Sequence, residues 1–223
     1  LLLNTTGASN TAIGAFALDA NTTASYNTGI GTSALGANTT GASNTALGAS
    51  ALVANTTGTK NVAIGHDALT TITTGSYNVA VGTEALKVNT ASGNTAVGQD
   101  ALKASTTGAS NTAVGQNALT SNTTGTYNTA LGYGALDAHT VANDCVAVGR
   151  DALGANTTAS SNVAVGAYAM LVNTTGTENT AVGFRALDAN TTASNNTAIG
   201  NAALGANTTG ADNTAVGKGS ADA

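Results

Sequence analysis

Residues 44–60 have the sequence N-T-A-L-G-A-S-A-L-V-A-N-T-T-G-T-K, and the same order of residue types recurs along the whole chain. The consensus is N-T-A-V-G-x-x-A-L-x-A-N-T-T-G-x-x, and we number its positions 1 to 17. Thirteen copies start at residues 10, 27, 44, 61, 78, 94, 111, 128, 145, 162, 179, 196 and 213. A fixed period of this length indicates stacked structural units. We therefore predict one repeat domain over residues 1–223, of about thirteen coils, as a segment of a longer fibre.

Composition excludes several classes of protein. Only 8% of the 223 residues are charged and 3% are aromatic, with 28 Gly and no Pro, whereas charged residues make up about a quarter of an ordinary domain. The net charge of -5 argues against nucleic acid as a partner. No apolar run approaches the ~20 residues of a membrane span, so we expect no membrane insertion by this segment. One cysteine excludes an internal disulfide framework.

Glycine occupies position 5 of every repeat. A site that admits only Gly requires a positive φ or a close backbone approach. We therefore predict a structural corner at each of these residues: Gly14, Gly31, Gly48, Gly65, Gly82, Gly98, Gly115, Gly132, Gly149, Gly166, Gly183, Gly200 and Gly217.

Short strands are predicted between the corners. Position 2 is always Thr or Val and position 4 is always Ile, Val or Leu, and such runs ended by Gly are typical of strands. The A-L-x-A segment at positions 8–11 is too short for a helix, so we expect it to be a second strand. All charged residues fall at positions 6, 7, 10 and 17, which marks these as solvated corners. The pattern predicts an all-β fold, a parallel β-solenoid of 17-residue coils.

Two further features of the repeat predict its internal and external contacts. Asn recurs at positions 1 and 12, where stacked coils would align the side chains into amide ladders. Alternation along a strand sends neighbouring side chains to opposite faces. Positions 3 and 4, and likewise 8 and 9, are both small or apolar, so each strand would have an apolar second face. We therefore expect identical chains to cover that face.

The N-T-A-V-G and N-V-A-I-G phrases resemble the S-V-A-I-G repeats of YadA-like trimeric autotransporter adhesin heads, which also occur in phage tail fibres. The resemblance extends over essentially the whole chain, although this repeat is longer and no neck, heptad stalk or β-barrel anchor accompanies it. It implies a left-handed β-roll, a homotrimer, and attachment at a virion appendage or cell surface, hence an extracellular location.

Catalytic candidates are few. His66 and His139 occupy unrelated positions, and Cys145 replaces Asn at position 1 of the most degenerate repeat. A Cys–His pair or a metal site there would lack ligands of the right number and spacing. We therefore expect a free, partly buried thiol in a drifted repeat. The chain is predicted to be non-enzymatic, without cofactor or metal.

All seven aromatic residues fall at positions 6, 7 and 17, the positions that also carry charge. Exposed rings beside polar groups suit sugar stacking or protein contact; the alternative is that the rings simply cover the corner between coils. The candidate contacts to a host protein or glycan are Phe16, Tyr26, Tyr77, Tyr127, Tyr133, Tyr168 and Phe184.

The N-T-T turn also creates N-x-T sequons, an acceptor pattern for N-glycosylation. Turn chemistry explains them without modification, and glycosylation is kept as the lesser hypothesis. The candidate acceptors are Asn21, Asn38, Asn55, Asn122, Asn156, Asn173, Asn190 and Asn207, and Asn4 and Asn195 also match.

Three functions fit the sequence. The favoured one is a fibre or adhesin segment that extends from a phage or cell surface. A self-assembling extracellular filament, formed by end-to-end stacking, is the second. An ice-binding solenoid is the third, suggested by Thr at positions 2, 13 and 14 but weakened by Val62, Val79, Val146 and Val163, which interrupt the first of these columns.

Overall fold

The structure is a computed structural model that describes residues 1–221. Each repeat contributes one three-residue strand, formed by positions 2 to 4. The strands are β1 (Thr11–Ile13), β2 (Thr28–Ile30), β3 (Thr45–Leu47), β4 (Val62–Ile64), β5 (Val79–Val81), β6 (Thr95–Val97), β7 (Thr112–Val114), β8 (Thr129–Leu131), β9 (Val146–Val148), β10 (Val163–Val165), β11 (Thr180–Val182), β12 (Thr197–Ile199) and β13 (Thr214–Val216).

The chain divides into two compact units, residues 1–110 and 111–223. In the first, β1 to β6 pair in chain order, each parallel to the next. In the second, β7 to β13 do the same. The register is constant, because position 2 pairs with position 2, as in Thr112 with Thr129. This confirms the predicted all-β, parallel β-solenoid with coils about 17 residues long.

Position 5 ends every strand at a glycine corner, as predicted. All thirteen of these glycines have φ between 123° and 140°, a region that residues with a Cβ atom rarely adopt. The corner is also tight. A Cβ atom on Gly31 would lie 2.5 Å from the carbonyl oxygen of Gly48 in the next coil. Backbone conformation and coil spacing therefore both require glycine.

The prediction of a second strand at positions 8–11 is wrong. In the residues that the structure describes, strands occur only at positions 2–4. Leu119, at position 9, has φ +52°, and its N–H still donates to the Ala135 carbonyl of the next coil at 3.0 Å. Because this segment is coiled rather than extended, Ala at position 8 and Leu at position 9 do not point to opposite faces. Both are buried, as in Ala118 and Leu119.

The interior of each coil is narrow and is filled from three positions. Ala at position 3, Ala at position 8 and Leu at position 9 are almost completely buried, as in Ala113, Ala118 and Leu119. A left-handed backbone costs a non-glycine residue roughly 1–2 kcal/mol, whereas full burial of Leu gains about 1.5–3 kcal/mol. Burial therefore compensates for the strain at position 9.

Positions 7 and 17 also have left-handed backbones, a feature that the sequence pattern did not reveal. Ser50 at position 7 has φ +57° and Tyr127 at position 17 has φ +59°. Their residue types vary from coil to coil, with Gly at Gly134 and Gly93. The variable corners are thus conformationally strained as well as solvated.

Asparagine side chains hold the coils together through two buried columns. At position 12, Asn38 Nδ2 donates to Asn21 Oδ1 at 3.0 Å, which is the predicted amide ladder. At position 1, Asn27 Oδ1 accepts the main-chain N–H of Asn44 at 2.9 Å. In some coils this column also forms the predicted side-chain amide bond, as from Asn196 Nδ2 to Asn179 Oδ1 at 3.2 Å. The two columns meet at position 15, where the Gly41 carbonyl accepts from both Asn27 Nδ2 and Asn38 Nδ2 at 2.9 Å.

Substitutions at position 12 interrupt the ladder and leave a visible defect. Ile72, Ser105 and His139 replace Asn in three coils, and Ile72 and His139 each follow a coil whose carboxamide oxygen would otherwise accept from position 12 of the next coil. Among the described residues, the buried side-chain oxygen or nitrogen atoms without a hydrogen-bond partner are Asn55 Oδ1 and Asn122 Oδ1. These two atoms precede Ile72 and His139, whereas Asn89 Oδ1, which precedes Ser105, accepts from Ala91 N–H and Asn94 Nδ2.

The outer face of the strands carries an apolar stripe at position 4, whose side chains are exposed or half-buried. Positions 2 and 4 point away from the interior, and the position 4 side chains of Leu131, Val182 and Ile199 are 47%, 36% and 42% exposed. The first unit has the same stripe, with Ile13, Leu47 and Ile64 among its exposed members. Position 4 is therefore not part of the interior of a single chain.

Gly115→Val is expected to destabilise its coil by well over about 2 kcal/mol, because Val disfavours a positive φ and its Cβ would overlap the carbonyl oxygen of Gly132. Thermal unfolding followed by circular dichroism measures the change. Gly154→Ala is the control, since position 10 holds many residue types in other coils. Equal melting temperatures for the two variants would contradict the corner assignment.

Ile72→Asn tests the amide ladder. The new side chain can donate to Asn55 Oδ1 and to the Gly75 carbonyl, so we expect a stability within about 1 kcal/mol of the original despite the lost apolar burial. Leu69→Asn, in an equally buried position without ladder partners, should cost more than about 3 kcal/mol. Urea unfolding of both variants makes the comparison, and similar losses would show that the ladder adds no stability.

Candidate functional site

Six of the seven candidate aromatic residues are exposed. The exposed fractions are 69% for Tyr26, 65% for Tyr127 and 53% for Tyr133, and Phe16, Tyr77 and Phe184 are also exposed. Tyr168 is half-buried. The rings are spread over both units rather than gathered in one place. In the first unit, Lys60 Nζ lies 5.0 Å from the Tyr77 ring centroid.

In the second unit, two neighbouring aromatic rings lie next to arginine side chains. We call Arg150, Tyr168, Phe184 and Arg185 the arginine–aromatic cluster. The Arg150 guanidinium lies 4.4 Å from the Tyr168 ring centroid, and Tyr168 and Phe184 meet edge-to-face at 6.0 Å. Arg185 lies 5.5 Å from the Phe184 ring centroid. Such cation–π contacts orient guanidinium groups that would otherwise move freely in water.

A groove lies beside this cluster, and its lining residue Asp151 pairs with Arg150 of the cluster. We call it the corner notch; its lining residues are Asp137, Ala138, Asp151, Gly154, Ala155, Leu171 and Val172. A Cβ atom on Gly154 would lie 3.4 Å from Leu171 Cδ1 and 3.6 Å from Asp137 Oδ1. The missing side chain of Gly154 therefore leaves the space between an aliphatic side chain and a carboxylate.

The charges around the corner notch are close together. Arg150 Nε lies 3.9 Å from Asp151 Oδ2. Desolvation is the main cause that raises the pKa of Asp137, and the neighbouring charge of Asp151 raises it further. The corner notch thus brings two carboxylates to an aliphatic wall, and the Arg150 guanidinium lies beside one of them.

A ladder of ion pairs occupies the corresponding positions of the first unit. Lys87 Nζ lies 3.4 Å from Asp67 and 2.7 Å from Glu84, and Lys103 Nζ lies 2.5 Å from Glu84 and 3.1 Å from Asp100. Along this ladder, carboxylates at position 7 alternate with lysines at position 10. Lys103 and then Lys87 lower the pKa of Glu84 to about 2. His66 Nε2 adds a longer contact to Asp67 Oδ1 at 3.8 Å.

Glu84 is expected to make stability depend on pH. Its folded pKa of about 2 lies below the ordinary value of 4.5, so its contribution is present above pH 4.5 and is lost as the pH falls towards 2. Glu84→Gln should lower the melting temperature slightly at pH 7 and leave it unchanged near pH 2. Glu178→Gln is the control, since Glu178 forms no ion pair with any described residue. A pH-independent difference for Glu84→Gln would contradict the assignment.

His139 and Cys145 take the places of ladder asparagines. His139 Nε2 donates to the Ala142 carbonyl at 2.8 Å, and Nδ1 accepts from Asn156 Nδ2 at 3.0 Å. Burial lowers the pKa of His139, which favours this neutral form. Cys145 is free and fully buried rather than partly buried, its Sγ lies 3.2 Å from the Ala159 carbonyl oxygen, and burial raises its pKa to about 11. Both side chains satisfy buried backbone groups.

The sequon asparagines of the N-T-T turns are structural, whereas Asn195, which also matches, is exposed. Seven of the eight candidate acceptors have no exposed surface, and Asn207 is half-buried. Asn173 is representative, because its Nδ2 donates to Asn156 Oδ1 at 3.2 Å and to the Gly176 carbonyl at 2.9 Å. A glycan on such a nitrogen would displace both hydrogen bonds and would not fit inside the folded coil. The buried members are Asn21, Asn38, Asn55, Asn122, Asn156, Asn173 and Asn190.

The Thr hydroxyls at position 13 join the inter-coil hydrogen bonds. Thr39 Oγ1, for example, donates to the Thr56 carbonyl of the next coil at 3.1 Å. Within residues 1–221, no group of three or more His, Cys, Asp or Glu side chains is arranged to hold a metal ion. The same described stretch contains no helix long and apolar enough to cross a membrane.

Sequence reasoning named Tyr133, Tyr168 and Phe184 but missed Asp137, Gly154 and Leu171. All three of the missed residues are at position 10, which was recognised only as a solvated column. A signal was nonetheless present: Gly at a position that holds Lys, Asp or Thr elsewhere leaves a gap between its neighbours in adjacent coils.

The chain was also compared with known proteins. No protein-family model, curated protein or solved structure matches it.

Proposed function

We propose that this chain is a non-enzymatic structural segment of a fibre or adhesin that assembles from identical chains and mediates attachment at a phage or cell surface. The observation that carries the proposal is the exposed apolar stripe on the outer face of the strands. Leu131, Val182 and Ile199 lie on this stripe, and their side chains are 36–47% exposed.

Parallel sheets are almost always covered on both faces, because their strands are apolar on both sides. Here the inner face packs on Leu at position 9, while the outer face of the single chain meets water. Exposed apolar surface of this regularity is typical of protein interfaces. A second copy of the chain presents the same residues at the same spacing, so self-association covers the stripe with matching side chains.

The resemblance to YadA-like repeats supports three chains around one axis, with each chain a left-handed roll. In such a trimer the position 4 side chains would face the axis and the variable positions 6, 7, 10 and 17 would remain outside. That division suits an extracellular fibre, because the invariant residues assemble it and the variable ones meet a host protein or glycan.

Val148→Asp combined with Val182→Asp is expected to convert the assembly into monomers, because the two substitutions place buried charges two coils apart on the stripe of every subunit. Native mass spectrometry of the full chain, with a trimer expected for the original sequence, gives the result. Asn201→Asp, at an exposed corner, should leave the trimer intact. A monomeric original chain would overturn the proposal, and open-ended polymers would favour the filament instead.

A further inference from the structure

The corner notch and the arginine–aromatic cluster form one surface of the second unit. The notch contains Gly154 and the carboxylates of Asp137 and Asp151, and Asp151 also pairs with Arg150 of the cluster. We propose that this surface binds a neutral pyranose of a surface glycan. The proposal rests on the proposed attachment function and names the ligand of one of its variable corners.

Polar groups in the notch match the hydroxyls of a sugar. A carboxylate accepts hydrogen bonds and a guanidinium donates them in a planar array. Neighbouring hydroxyls of a pyranose can therefore be held between Asp151 and Arg150, with Asp137 as a further acceptor. The Arg150 side chain remains 57% exposed although Tyr168 lies against it. Tyr168 is thus a positioning residue that holds the donor in place.

Apolar groups in the notch match the other side of the sugar. Leu171 and Val172 line the groove, and Tyr133 stands beside Arg150 at position 6 of the preceding coil, 53% exposed. A pyranose ring presents C–H groups on its faces, and these pack on aliphatic or aromatic carbon. Gly154 provides the space, because any larger side chain there would enter the gap between Asp137 and Leu171.

Charge distinguishes neutral sugars from acidic ones. The surface combines Asp137, Asp151 and Asp188 with Arg150 and Arg185, so one negative charge remains in excess. The whole chain has a net charge of -5. Sialylated and sulfated glycans would therefore meet repulsion that neutral glycans do not.

The test uses the full chain on an array of oligosaccharides that end in galactose, glucose or mannose, together with sialylated and sulfated ones. We expect binding to neutral members. Gly154→Thr fills the notch and Arg150→Ala removes the donor. Each should raise the apparent Kd about tenfold or more. Thr70 and Thr120 occupy the same repeat position, so Gly154→Thr should fold normally, which circular dichroism verifies.

Gly36→Thr is the matched control, because Gly36 has the same repeat position in the first unit without a neighbouring arginine. It should bind like the original chain. The inference is overturned if no neutral glycan binds, if acidic glycans bind more tightly, or if Gly154→Thr binds unchanged. Unchanged array binding by Gly154→Thr, with cells still attaching, refutes the sugar site but not the attachment function. Array binding without any cell attachment refutes the attachment function but not the sugar site.

Discussion

The coil depends on how its buried carbonyl at position 15 is satisfied. A winding of only 17 residues encloses few side chains, so its turns bring polar backbone atoms close to the interior, where a lone carbonyl would be costly. Asparagine side chains at positions 1 and 12 both donate to this carbonyl, as Asn27 and Asn38 do to the Gly41 carbonyl. The remaining carboxamide oxygens connect each coil to the next. The asparagine side chains that satisfy the polar backbone groups of the interior are therefore the same ones that join each coil to the next.

The hydrogen bonds between coils hold a backbone that is strained at its turns. Each coil turns through four positive-φ positions, one of them Gly at position 5 and the others generally not glycine. Leu at position 9 is held by burial, whereas positions 7 and 17 are held mainly by hydrogen bonds to the previous coil, as from Asp151 N–H to the Tyr133 carbonyl at 2.9 Å. The backbone of these corners is therefore tied to the neighbouring coil although the corners face water. Because the backbone of these corners is fixed, their side chains lose less conformational entropy when they bind a partner.

Much of this structure could be predicted from periodicity. The strand at positions 2–4, the corner at Gly115 and the ladder at Asn38 followed from residue types that repeat without exception or nearly so. The A-L-x-A segment was mispredicted because Leu carries no signal for a left-handed backbone; only its fixed interior contacts impose it. The corner notch could not be seen either, because Asp137, Gly154 and Leu171 come from three coils and their meeting depends on register.

The constant register has a consequence for how such a chain can change over generations. Because position 2 always pairs with position 2, an in-frame duplication or loss of one whole repeat in the gene would leave every remaining contact type intact. A single-residue deletion is harder to accommodate, and the one shortened repeat, between Asn78 and Asn94, absorbs it in the turn after Asn89 rather than in a strand. Recombination can therefore change the number of coils more freely than any other property of this molecule. Point mutations can then change the residues at the corners of the added coils.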